Sequence, residues 1–131
     1  MVKVRNYRAG EFLPAPLLDT GMPFLDPGWT WAVTPQGSDL PFALVACSFA
    51  GGWLVLWRLL SVQPLPAGVS THWFLEAMPR VFENARESGC VGLLTMLSDD
   101  RELEARLARL IVRYGGQLKP FRGSFGVAPL G

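Results

Sequence analysis

Eighteen consecutive residues, Leu40 to Trp57, carry no charged side chain, and this run limits what the chain can fold into more than any other feature. An uncharged run of that length is either a membrane span or a pair of elements buried inside a protein. Pro41 near its start, Gly51-Gly52 in its middle and the lack of a second such run argue against a spanning helix. The β-branched and aromatic residues on either side of the glycines instead predict two strands, Leu40 to Phe49 and Trp53 to Val62, joined by a tight turn. Both strands are apolar at successive positions, so other elements have to cover the sheet on both faces.

The chain is long enough to supply that cover. Its 131 residues predict one domain, 1–131, which buries roughly two-thirds of the surface of the unfolded chain. With 50% hydrophobic and 18% charged residues it has the composition of a folded, core-rich protein. Twelve basic residues against 11 acidic ones leave a net charge of +1, too little field to gather a nucleic acid or an anionic membrane, and neither is expected as a partner. The opening MVKVRNYRAG has no apolar signal core, so the expected location is the cytoplasm. Cys47 and Cys90 lie in apolar surroundings without C-x-x-C spacing or neighbouring histidines, and are read as buried free thiols.

Around the central pair, the periodicity predicts the remaining elements. Val2 and Val4 alternate with Lys3 and Arg5 as a first strand, and the proline- and glycine-rich segment 10–28 favours short helical turns. Trp29 to Thr34 is a strand, followed by a tight turn at Pro35-Gln36-Gly37-Ser38. From Ser70 the period becomes 3.6 residues, with Phe74, Ala77, Met78, Val81, Phe82 and Ala85 on one stripe, Pro79 inside and Gly89 at the C-terminal cap. Cys90 to Leu97 is a strand, Asp99 and Glu102 open a second helix running to Tyr114, and two short strands, Gln117 to Phe121 and Ser124 to Leu130, finish the chain. The expected fold is α/β: a mixed, mostly antiparallel sheet of about seven strands flanked by helices, in which the strands before and after the first long helix are parallel neighbours.

This order resembles the GNAT superfamily of N-acetyltransferases, best over Phe42 to Phe125. The resemblance implies acetyl-CoA as the acyl donor and an amine as acceptor. It implies that the strand Trp53 to Val62, through Leu60 and Val62, offers backbone groups to the pantetheine arm. The loop Leu65-Pro66-Ala67-Gly68-Val69-Ser70 would bind the pyrophosphate, with Ala67, Gly68, Val69, Ser70 and Thr71 as its contacts, because a helix N-terminus favours phosphate. Against the family loop Q/R-x-x-G-x-G/A, Gly68 matches the first glycine, Leu65 replaces the Gln or Arg, and Ser70 stands at the last small position. The alternative is an ordinary strand-to-helix connection capped by Ser70 or Thr71.

The family's second signature, Y-x-x-x-x-G-F, is matched at Gly115, while Leu110 occupies the tyrosine position and Gly116 that of the phenylalanine. Tyr114 is the remaining hydroxyl near the end of that helix, with a core role as the alternative. Ser98 and Asp99 fall near the family's asparagine position, where helix capping is the alternative. An amine acceptor also needs a base, yet the strand Trp53 to Val62 has Arg58 as its charged residue, which leaves Glu11, Asp19, Asp26, Asp39 and His72 as candidates. These departures imply a degenerate or unusual active site. The short length and the Leu40-Pro41-Phe42-Ala43-Leu44 and Gly51-Gly52-Trp53 segments further resemble small GNAT-like proteins encoded among virion and assembly genes of short-tailed bacteriophages.

Two functions of different kinds follow: an acetyl-CoA-dependent N-acetyltransferase, or a noncatalytic protein of the same fold acting through a protein partner or as a homodimer, in the host cytoplasm or a virion. Nucleophile elbows, Walker loops, dinucleotide fingerprints and clusters of metal ligands do not occur in the sequence. Arg106, Arg109 and Arg113 form a basic stripe that reads as a solvated helix face. Trp29, Trp31, Trp53 and Trp57 fall on predicted strands and read as core; a pair left exposed would mark a partner surface.

Overall fold

The computed structural model describes residues 1–18, 25–95 and 101–113. The chain divides into two units, Met1–Met96 and Leu97–Gly131. In the first, β1 (Val2–Asn6), α1 (Ala15–Leu18), β2 (Thr30–Pro35), β3 (Ala43–Ala50), β4 (Trp53–Ser61), α2 (Trp73–Glu87) and β5 (Gly92–Thr95) follow one another. They build one five-stranded sheet in the order β1-β2-β3-β4-β5. The first four strands pair antiparallel, and β5 joins β4 in parallel after α2. The mixed, mostly antiparallel α/β sheet is thus present; the two strands expected within 117–130 lie outside the described residues.

The uncharged run is the β3–β4 hairpin. Gly51 and Gly52, with φ of 57° and 90°, connect the paired residues Ala50 and Trp53. Two successive positive φ values are the signature of a type I′ turn, which non-glycine residues adopt at a cost. Among the described residues no helix is long and apolar enough to cross a membrane.

Each face of the sheet has its own cover. Leu44 and Ala32 on one face pack with Leu13 and Leu17, joined by the half-buried Tyr7, Leu25, Leu60 and Val62. Trp31, Val33, Val45, Leu54 and Leu56 point to the other face and are buried. There α2 contributes Trp73, Phe74, Ala77, Met78, Val81 and Ala85, with Trp73 edge-on to Phe42 at 5.6 Å between ring centroids. The helix starts at Trp73, three residues after the predicted onset, and Pro79 lies inside it. Its C-terminus is closed by a Schellman arrangement: Gly89 (φ 100°) donates to the Arg86 carbonyl and Cys90 to that of Ala85.

The expectation for the thiols holds for Cys47, which is buried, and is corrected for Cys90, which is partly exposed where the chain leaves α2. Burial pushes the Cys47 thiol well above its ordinary range, so it stays protonated and unreactive. Both thiols are free.

Two buried polar atoms, Thr30 Oγ1 and Trp31 Nε1, have no hydrogen-bond partner among the described residues. A buried hydroxyl without a partner costs stability, so Thr30→Val should leave the unfolding free energy unchanged or raise it by about 1 kcal/mol. Calorimetry checks this; a fall in the thermal midpoint would show that the hydroxyl is bonded.

The second unit contains α3 (Arg101–Arg113), an amphipathic helix with Leu110 buried and Arg109, Val112 and Arg113 exposed. Arg106 is half-buried, so the predicted stripe of solvated arginines is confirmed at Arg109 and Arg113 only.

Candidate functional site

Strand β4 carries the first of the candidate residues, Leu60. It pairs with β5 from Trp53–Gly92 to Leu56–Thr95 and then continues to Ser61. Leu59, Leu60 and Ser61 therefore have a strand partner on the β3 side alone among the described residues. A strand edge of this kind presents backbone N–H and C=O groups to an extended ligand.

The ladder with β3 shifts register next to the last described pair with β5, Leu56–Thr95. Ala46 pairs with Arg58 and Cys47 with Leu56, so Trp57 is the extra residue of a β-bulge. A bulge twists the strand and re-aims its side chains. The Trp57 indole lies on the face of Ser48 and donates from Nε1 to Ser48 Oγ at 2.7 Å.

Trp53 belongs to the same face. A Cβ at Gly92 would fall inside the Trp53 ring, so the indole lies across β5 in space that the glycine leaves open. Trp53 and Trp57 are 47% and 40% exposed, and Leu94 beside them 57%. The expectation that the tryptophans form core is thereby corrected for this pair, while Trp31 is buried and Trp29 stacks on the exposed Phe49 at 5.0 Å. Alternation assigns a face to each indole; whether anything lies over that face is a tertiary matter.

The loop from β4 to α2 closes in small hydrogen-bonded turns. Val69 donates to the Pro66 carbonyl across Ala67 and Gly68, whose φ of 81° requires glycine-like freedom. Apart from its chain neighbours, no heavy atom of the described residues lies within 4 Å of where a Gly68 Cβ would stand. Ser70 does not cap α2: the N-cap position is His72, without a side-chain cap. Ser70 Oγ accepts from the His72 N–H at 3.0 Å, and the Trp73 N–H is taken by the Ser70 carbonyl. The first turn also carries Glu76, which offsets the helix dipole toward an anion. The loop residues 62–72 include no Lys or Arg.

The candidate bases in the N-terminal half serve another purpose. Glu11 takes two hydrogen bonds from Arg5, at 2.7 and 2.9 Å, and one from the Arg8 backbone N–H at 2.6 Å. Asp39 receives Arg8 Nη1 and Arg5 Nε, each at 3.0 Å. The Arg5 contact holds the Glu11 carboxyl below its ordinary range, and Arg8 does the same for Asp39. Carboxylates held in this way are poor proton acceptors. Asp26 accepts from the Gly28 N–H in a tight turn. Asp19, Ser98, Asp99 and Tyr114 lie outside the described residues. Of the expected site residues, Leu60 lies on β4 and Val62 just beyond it, its N–H donated to the Phe42 carbonyl at 2.8 Å, with Ala67, Gly68, Val69, Ser70 and Thr71 in the loop that follows. It adds Trp53 and Trp57, which sequence had assigned to the core.

In sequence the chain matches no family profile and no curated protein. In structure it is similar to an aminoglycoside N-acetyltransferase, AAC(6′)-Iy, solved in complex with CoA, with a TM-score of 0.49 and 11% identity over 76% of this chain. The match spans 65% of that protein's length.

Proposed function

We propose that the chain is an acyl-CoA-dependent N-acyltransferase of GNAT type, a single domain that moves an acetyl group from acetyl-CoA to an amine at an unusual active site. The observation that carries the proposal is the bulge at Trp57 in β4, next to the last described β4–β5 pair, Leu56–Thr95, on a strand that a helix links to its parallel neighbour. When bound, acetyl-CoA would supply the activated acyl thioester. The chain's part is to hold the extended pantetheine arm beside the end of β4 at Leu60 and Val62, and to orient the acyl end toward the bulge.

The residues fit the two ends of that molecule unequally. The strand edge suits an arm that carries amides. The loop offers room at Gly68 and the Ser70 hydroxyl, with Ala67, Val69 and Thr71 as backbone contacts, but no cation to meet a pyrophosphate. Affinity should accordingly reside in the pantetheine half. Tyr114, Ser98 and Asp99, which lie outside the described residues, are the sequence-based candidates for passing the proton to the leaving thiol.

Millimolar acetyl-CoA should raise the thermal midpoint of the purified chain by several degrees, whereas adenosine 3′,5′-bisphosphate should leave it in place. Gly68→Glu should abolish the acetyl-CoA shift by adding bulk and negative charge, while Gly68→Asn, which tolerates positive φ, should keep it. A shift that survives Gly68→Glu would remove the loop from the site.

A second reading is favoured by the exposure of Trp53, Trp57 and Leu94. It is a noncatalytic protein of this fold whose exposed face binds a protein partner or a second copy, such as a bacteriophage virion or assembly component. That reading predicts no shift with acetyl-CoA and a larger assembly by light scattering.

A further inference from the structure

Resting on the acyltransferase reading, we infer that Trp57 limits the length of the acyl group the site accepts, and that Ser48 is the positioning residue that holds the indole in place to do so. The donors of this site are short acyl thioesters, and the indole is what ends the space for them.

The bulge gives Trp57 this role. Ala46 pairs with Arg58 and Cys47 with Leu56, so Trp57 is the residue the ladder skips, and a bulged side chain is re-aimed. Where it is aimed follows from its hydrogen bond. Ser48 Oγ accepts the Trp57 Nε1–H at 2.7 Å, yet Ser48 is the cross-strand partner of Val55, two residues earlier on β4. To make that bond the indole leans back along the strand toward the Ser48–Val55 pair. A donor held beside Leu60 and Val62, with its acyl end toward the bulge, comes from the opposite direction and runs up against the ring. Without the bond the indole has other rotamers in which it stands clear; tied to the neighbouring strand, it keeps one.

Behind the indole the same face continues as an apolar track. Val55 pairs with Leu94 on β5, and Trp53 lies over Gly92. Directly paired residues, and residues two apart on one strand, share a face of the sheet, so Val55, Leu94 and Trp53 follow Trp57 in line. Val55 is half-buried, and Leu94 and Trp53 are exposed. A chain laid on this track would gain about fourfold in affinity for each methylene it buried. The pinned indole denies longer donors that gain, which is specificity by exclusion.

Calorimetric titration of the full chain with CoA, acetyl-CoA, butyryl-CoA and hexanoyl-CoA tests this. The parent should bind acetyl-CoA about tenfold or more tightly than hexanoyl-CoA. Trp57→Ala should reverse that order, with butyryl-CoA in between, while its affinity for CoA stays within about threefold of the parent's. Ser48→Ala, which frees the indole, should narrow the acetyl-to-hexanoyl ratio to about threefold or less, and Ser48→Thr, which keeps the hydroxyl, should hold the parent's ratio. A parent that binds acetyl-CoA and hexanoyl-CoA alike, or a ratio unmoved by Trp57→Ala, would overturn the inference while the acyltransferase reading stands. So would variants that weaken all four ligands equally, since that is the mark of a structural role alone. If none of the four binds the parent, the acyltransferase reading falls and the inference falls with it.

Discussion

Leu44→Ala should lower the unfolding free energy by about 2–5 kcal/mol, because it opens a cavity in a tightly packed layer. Leu44 is fully buried on the α1 face, against Leu13, Leu17 and Ala32. In a chain of this size the loss corresponds to a fall of the thermal midpoint on the order of 10 °C. Leu18→Ala is the control: Leu18 is in the same short helix but exposed, and its change should stay within about 0.5 kcal/mol. The comparison measures how firmly the segment before α1 is seated on the sheet. If both variants melted alike, the α1 cluster would not be the cover of that face. A double variant with Leu17→Ala should depart from the sum of the single changes, since the two side chains share one cavity.

The second large effect is expected at Glu11. Glu11→Gln removes the charge from a carboxylate that accepts two bonds from Arg5 and one from the Arg8 backbone, and should cost about 2–3 kcal/mol at pH 7. The loss has a pH signature. Arg5 holds the Glu11 carboxyl below its unfolded value, so the folded state binds its proton less readily than the unfolded state. The stability from this pair is fully present above the unfolded carboxylate pKa, about 4.3, and is lost as pH falls through the lower folded value. The parent and Glu11→Gln should therefore differ by a constant amount from pH 6 to 8 and converge in acid. Denaturant unfolding across that range checks it, and a difference that grew toward low pH would contradict the assignment. Asp39→Asn should show the same sign with a smaller effect, because Asp39 is largely exposed.

Much of the architecture follows from local pattern. The hairpin is legible because Gly51 and Gly52 can both take positive φ between two apolar runs. The end of α2 is legible because Gly89 supplies the left-handed residue of a Schellman cap. The start of α2 is less so: Ser70 and Thr71 have the composition of a cap, yet Ser70 spends its hydroxyl on the His72 N–H and the helix begins at Trp73. Several local turns satisfy a serine equally well, and the choice among them depends on how the loop closes onto the sheet.

The site divides along the same line. Sequence by itself determined that Leu40 to Trp57 is a pair of strands, that a helix links β4 to a parallel β5, and that β4 carries no carboxylate, because these depend on periodicity, turn residues and residue identity. Tertiary structure decided that Trp57 is the bulged residue, and that Trp53 and Trp57 stay partly open while Trp31 is buried. The physical reason is that alternation assigns a side chain to a face, whereas the register between two strands and the cover over a face depend on the partners that meet it, residues far away along the chain.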